Sequence, residues 1–182
     1  MVMSDSPAHL KEEGLRQFKS GHYDEALATF GAAATAFATI PDNIGQAEML
    51  NNMGVIYQLK GQYDAAATAL QQAQTSFAQA GDMNRQGQTL ANLGELQRHR
   101  GDYHQAGRCY SDAAEKFAQT GDKDKQADML WALSLLRTRQ RHWLEAIYLM
   151  HDSLKMRPRR HLMQILLYTL LRLGVRLIGG KQ

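Results

Sequence analysis

Apolar positions in this chain fall on one side of a helix, and the whole arrangement returns every 40 residues. Leu50, Met53, Gly54 and Tyr57 stand at i, i+3, i+4 and i+7, which is one face of an α-helix. Ala66, Leu70, Ala73 and Phe77 mark a face on a second helix. Between them, Lys60-Gly61-Gln62-Tyr63-Asp64 carries a glycine suited to a helix stop and an acidic residue suited to a helix start.

Six registers hold across four copies. Leu10, Leu50, Leu90 and Leu130 form one. Gly14, Gly54 and Gly94 form another, with Ser134 in the fourth place. Gly21, Gly61 and Gly101 recur likewise, with Arg141 fourth, and so do Tyr23, Tyr63, Tyr103 and Trp143. Ala26, Ala66, Ala106 and Ala146, then Phe30, Leu70, Tyr110 and Met150, complete the set. Small residues such as Gly54 and Ala66 allow two helices to approach closely. Each hairpin buries one face internally and needs a neighbour for the other, so the unit is stable only in an array.

The turns between copies repeat as well: Ile40-Pro41-Asp42-Asn43, Ala80-Gly81-Asp82-Met83 and Thr120-Gly121-Asp122-Lys123. Glycine or proline ends one helix and aspartate caps the next. The pattern predicts helices over about 7–20, 24–39, 44–60, 64–79, 84–100, 104–119, 124–140, 144–156 and 159–178, and no strand. The fold expected is all-α, a right-handed superhelical solenoid of antiparallel hairpins. Four repeats would fill residues 1–156, at about 7–40, 44–80, 84–120 and 124–156, with a C-terminal element over 157–182.

These residues resemble the tetratricopeptide repeat family, a 34-residue helix-turn-helix. The signature is a small residue on the first helix, Gly-x-Tyr in the turn, then alanine and a large apolar residue. Here it reads Gly54, Gly61-Gln62-Tyr63, Ala66 and Leu70, and again Gly94, Gly101-Asp102-Tyr103, Ala106 and Tyr110. The longer step is similar to the extended variant of kinesin light chains and Pins-type adaptors. The resemblance covers roughly residues 8–156. Departures lie at the ends: Glu13 stands where later copies have Met53, Leu93 and Leu133, and copy four carries Ser134, Arg141 and Trp143.

The resemblance implies a protein-interaction scaffold whose concave side is lined by the first helix of each pair. The outward stripe is Glu48, Asn52, Val55 and Leu59, then Gln88, Asn92, Glu95 and His99, then Asp128, Ala132, Leu135 and Arg139. Asn51, Gln58, Arg98 and Trp131 flank it. Asn52 and Asn92 match the family's asparagine that holds a bound peptide backbone. A carboxamide both donates and accepts, so it can pair with any peptide group. The other reading is that both asparagines only brace neighbouring helices. The basic clamp for a C-terminal carboxylate is not evident: Lys11 fills one place, but Leu15 stands where asparagine is expected.

Charge separates the two ends. Residues 1–136 hold 11 Lys/Arg against 16 Asp/Glu, and residues 137–182 hold 10 against 2, so a net charge of +3 hides an acidic body and a basic tail. Pro158 interrupts the preceding helix, and the stretch from Leu162 to Ile178 is apolar except for Gln164, Thr169, Arg172 and Arg176. Leu162, Ile165, Leu166, Leu170, Leu173 and Leu177 are its candidate association residues. Two internal arginines make it a poor bilayer span. Three roles stay open: a cap on Trp143 and Ile147, a homo-oligomer contact through residues 158–178, or contact with an anionic membrane surface. Nucleic acid is disfavoured, because the tail is too apolar to track phosphates.

Catalytic chemistry is not evident. One cysteine, Cys109, rules out an internal disulfide and a zinc site built from four cysteines. The seven histidines form no zinc-enzyme spacing, and no phosphate-loop glycine pattern occurs. No cofactor and no enzymatic activity are expected. The first residues lack a basic region followed by an apolar run, so no secretory signal is expected. A cytoplasmic setting, with or without peripheral membrane contact, fits this reading.

Overall fold

The computed structural model describes residues 6–40 and 42–156, and these form eight helices and no strand. They are α1 (Pro7–Lys19), α2 (Tyr23–Thr39), α3 (Asn43–Leu59), α4 (Tyr63–Gln79), α5 (Met83–Arg100), α6 (Tyr103–Thr120), α7 (Lys123–Arg139) and α8 (Trp143–Met156). Helices α2 to α8 each begin one residue earlier than the spacing suggested. The cap takes one position only, and the residue after it is already helical. Asp42, Asp82 and Asp122 each accept a backbone N–H three residues on, as their turns predicted. Asp102 does the same inside the third hairpin, two positions before the register place of Asp64, the residue expected to start the second helix.

Turns inside the hairpins need a left-handed residue. Gly61 and Gly101 supply it at φ 73° and 82°. In the fourth hairpin the same conformation falls on Arg141 at φ 64°, where a side chain costs about 1–2 kcal/mol relative to glycine.

Close helix approach is set by the glycine on the first helix and the large residue 16 positions later. A Cβ on Gly14 would lie 2.6 Å from Phe30, one on Gly54 2.6 Å from Leu70, and one on Gly94 2.7 Å from Tyr110. The large side chains thus lie flat on bare backbone. Ala26, Phe30, Ala66, Leu70, Ala106 and Phe117 are nearly or wholly buried and form the spine of the stack.

Each helix packs mainly on the helix before it and the helix after it, so the hairpins stack in order into a tetratricopeptide-like solenoid instead of closing into a bundle. One helical layer holds α1, α3, α5 and α7. Contacts between hairpins recur at a fixed offset. Asp24 meets Lys60, and Asp64 accepts from Arg100 at 2.5 Å, both 36 residues apart. Tyr63 lies 6.3 Å from the His99 ring, and the Arg139 guanidinium lies 4.4 Å from the Tyr103 ring, again 36 apart. The expected helix over 159–178 and the domain over 157–182 lie outside the described residues. So do its candidate contacts Leu162, Ile165, Leu166, Leu170, Leu173 and Leu177.

Candidate functional site

Two clefts on the first-helix layer together take up most of the groove residues expected from sequence; a third, of about 290 Å³ between α1 and α3, adds no further one. One cleft of about 210 Å³ lies between α1, α3 and α5, lined by Lys11, Leu15, Glu48, Asn51, Asn52, Phe77, Arg85, Gln88 and Thr89. Its centre is Glu48, whose carboxylate accepts from Lys11 at 2.5 Å and from Arg85 at 2.5 Å. Arg85 also reaches Asp82 at 2.6 Å. Burial pushes the Asp82 carboxyl up, but the backbone N–H and guanidinium of Arg85 together outweigh it and hold the group below its usual range. Gln88 donates to Asn84 at 2.6 Å, and Asn92 donates to Asn51 at 3.0 Å across the gap between α5 and α3. The polar groups here are satisfied mostly by one another. Lys11 is held by Glu48, so it is not a free clamp cation.

The second cleft, about 430 Å³, lies between α5, α6 and α7. Its walls are Glu95, Arg98, Tyr103, Tyr110, Ala132, Leu135, Leu136, Thr138 and Arg139. Tyr110 forms much of the floor and is 3% exposed, while Leu135 at the lip is 52% exposed. Tyr110 donates its hydroxyl to Glu95 at 2.7 Å, and Arg98 donates to the same carboxylate at 2.9 Å. Arg98, then the Tyr110 hydroxyl, draw the Glu95 carboxyl down to about 2, against a burial that raises it. Burial and the Glu95 carboxylate together push the Tyr110 phenol up, so it stays a donor. Arg139 stacks on Tyr103 and has no carboxylate partner among the described residues.

The expected groove residues therefore divide. Glu48, Asn51, Asn52 and Gln88 line the polar cleft; Glu95, Arg98 and Arg139 line the apolar one. Asn92 joins the two hairpins beside the polar cleft. Val55, Gln58 and Trp131 are partly buried and line neither, and Asp128 is exposed outside both. Sequence reasoning missed Arg85 and assigned Tyr110 only to packing. A signal for Arg85 was present: Lys11, Glu48, Arg85 and Asp122 alternate in sign at a step of 37, which is the 40-residue repeat less about one helical turn.

Among the described residues no group of three His, Cys, Asp or Glu could hold one metal ion, and no helix is long and apolar enough to cross a membrane. Cys109 is buried and free, and burial raises its thiol above the ordinary range.

Residues 8–169 match the family described as "Soluble NSF attachment protein, SNAP". No curated protein matches the chain significantly in sequence. Among solved structures, the crystal structure of BtubC (BKLC) from P. vanneervenii is similar, with a TM-score of 0.77 at 15% identity. The likeness covers 87% of this chain and 66% of that one, so the chain spans just under two thirds of that neighbour. At this identity it shows the shared tetratricopeptide-like fold.

Proposed function

The chain belongs to the soluble NSF attachment protein family, and from that premise we propose that it holds a segment of a partner protein against the first-helix face, anchored in the cleft between its third and fourth hairpins. Helical-repeat folds of this kind are in general non-catalytic protein-interaction scaffolds. The observation that carries the finer reading is the contrast in what the cleft leaves unsatisfied. Tyr103, Tyr110, Ala132, Leu135 and Leu136 offer an apolar recess, and Arg139 stands beside it with no carboxylate paired to it among the described residues, since Glu95 of the same cleft is taken by Arg98. An apolar anchor side chain with a carboxylate beside it fits both features. Asn52, lining the polar cleft, is available to pair with the backbone of the same segment.

The family is named for attaching NSF; the partner here is assigned by cleft chemistry alone. The resemblance to the longer-repeat adaptors is supported by the 40-residue step and by helices of 17 or 18 residues from α2 to α7. A self-assembling or membrane-peripheral role through residues 158–178 is the alternative function. The reading is of a non-enzyme, and a cytoplasmic setting suits it.

Peptide-library selection on the full chain, followed by titration calorimetry, tests the groove. Selected peptides are expected to pair an aliphatic or aromatic residue with Asp or Glu, and Arg139→Glu should abolish their binding. Peptides with no acidic preference, bound equally by Arg139→Glu, would remove the reading.

A further inference from the structure

Three residues of the third hairpin depart from the repeat together. Glu95 stands where the other copies have Leu15, Val55 and Leu135. Arg98 stands where they have Phe18, Gln58 and Thr138, and Tyr110 where they have Phe30, Leu70 and Met150. The other copies carry no charge at any of these places, so stacking of the hairpins does not ask for one. Yet the three departures meet. Glu95 accepts from the Tyr110 hydroxyl at 2.7 Å and from Arg98 Nε at 2.9 Å, and Arg98 Nη2 donates to its other oxygen. All three residues line the apolar cleft, together with Arg139 of the next first helix.

The pairing leaves part of Arg98 over. Nε and Nη2 are given to Glu95, while Nη1 has no hydrogen bond among the described residues. A guanidinium carries five N–H groups in a planar fork, so a carboxylate on one edge leaves the other edge able to donate. Glu95 holds that fork through both oxygens, which fixes its plane. The Tyr110 hydroxyl fixes Glu95 in turn, from a buried ring. Glu95 is ionised at neutral pH, since Arg98 first, then the phenol, draws its carboxyl down to about 2. One acid and two arginines line the cleft, which leaves a single positive charge for an occupant.

We propose that Arg98 is a second anion-binding residue of this cleft, sharing one partner carboxylate with Arg139, and that Glu95 and Tyr110 are positioning residues that aim it. The inference rests on the apolar–acidic reading of the cleft given above. It assigns the acidic preference of the partner segment to two guanidiniums on consecutive first helices, α5 and α7.

The test uses the full chain and two degenerate peptide pools. Both have Leu or Phe at one fixed position; beside it, one has Glu and the other Gln. The quantity read is the ratio of the two affinities. In the parent the Glu pool is expected to bind about tenfold better, or about 1.4 kcal/mol. Glu95→Gln with Arg98→Gln removes one charge of each sign and keeps the net charge of the cleft. The ratio should fall several-fold in that chain, with binding of the Gln pool unchanged, which reports the lost Arg98 contact and not an altered field. Both side chains are partly exposed, so this variant is expected to fold as the parent does. Tyr110→Phe keeps the ring and the recess, and its ratio should fall by less. Adding Arg139→Gln to the paired substitution should bring the ratio to one. A ratio at the parent's value in the Glu95→Gln/Arg98→Gln chain, while Arg139→Gln alone lowers it, would overturn the role of Arg98 and leave the cleft reading standing. Equal loss of both pools would make the three residues structural and overturn it as well. An unchanged ratio in Tyr110→Phe would overturn the positioning role of the phenol. A parent with no preference for the Glu pool would remove the cleft reading and this inference with it.

Discussion

The two clefts occupy neighbouring intervals of one helical layer, yet they handle polar groups in opposite ways. Around Glu48 three first helices contribute charges of both signs, and Lys11 and Arg85 converge on one carboxylate. Around Tyr110 the carboxylate of Glu95 is taken by Arg98 and the phenol, which leaves an apolar recess and Arg139 outside the pairing. The first arrangement ties α1, α3 and α5 together. The second leaves surface whose burial by a partner would be favourable. Equivalent places in a repeat array can therefore be divided between bracing and binding by a few side chains. Asn51 and Asn52 at the polar cleft become Trp131 and Ala132 one repeat beyond Ala91 and Asn92.

The largest expected effect comes from removing the floor. Gly94→Leu drives a side chain into Tyr110 and is expected to cost about 3 kcal/mol of stability, as overpacking does. Chemical denaturation should show a lower midpoint, and peptide binding should be lost with it. The matching change Gly54→Leu, against Leu70, should cost a similar amount, since both hairpins use the same glycine contact. A melt unchanged by either would mean the glycine contact is not what holds the hairpins together.

Leu135→Asp separates stability from binding. Leu135 is half exposed, so melting should not move, but an acidic lip should weaken an acidic–apolar peptide at least about tenfold, or about 1.4 kcal/mol. Retained affinity in calorimetry would shift the anchor away from this cleft.

Glu48→Ala is the reciprocal experiment. It leaves Lys11 and Arg85 facing each other without their shared carboxylate and should lower stability by about 1 kcal/mol, the scale of part-exposed ion pairs. Peptide affinity at the apolar cleft should stay the same. The loss should shrink in high salt, because screening already weakens the parent. A binding loss equal to that of Leu135→Asp would merge the two clefts into one site.

Glu95 gives the smallest effect, and its sign follows from the direction of its shift. Its carboxyl is lowered from 4.5 to about 2 in the folded chain, so its contribution is complete above pH 4.5 and is lost as pH falls toward 2. Over that window Glu95→Gln should lose less stability than the parent. The difference stays small because the Glu95 side chain is 39% exposed and water screens the pair. Parallel acid curves would show that the Glu95–Arg98–Tyr110 cluster does not couple to folding.

Much of this was legible before any coordinates. The small residue at Gly54 and the glycine at Gly61 in the turn are local demands on backbone, and they recur because hairpins meet the same demand; that Leu70 is what lies on Gly54 came from the structure. Asn52 and Asn92 were equivalent by spacing, yet Asn92 is bonded to Asn51 of the previous hairpin while Asn52 lines a cleft. Whether an asparagine faces a neighbour with an acceptor depends on how far adjacent helices are staggered. The convergence of Lys11 and Arg85 on Glu48 escaped notice for the same reason: their step is 37, and only stacking converts it into proximity.

By itself the sequence determined the helices, their caps and turns, and the order of stacking, because these follow from contacts within a hairpin or across one repeat. Tertiary structure alone decided which polar residues satisfy each other and where an unfilled recess remains. Those outcomes depend on stagger and approach between helices about 40 residues apart, set to within an ångström or two by side-chain packing.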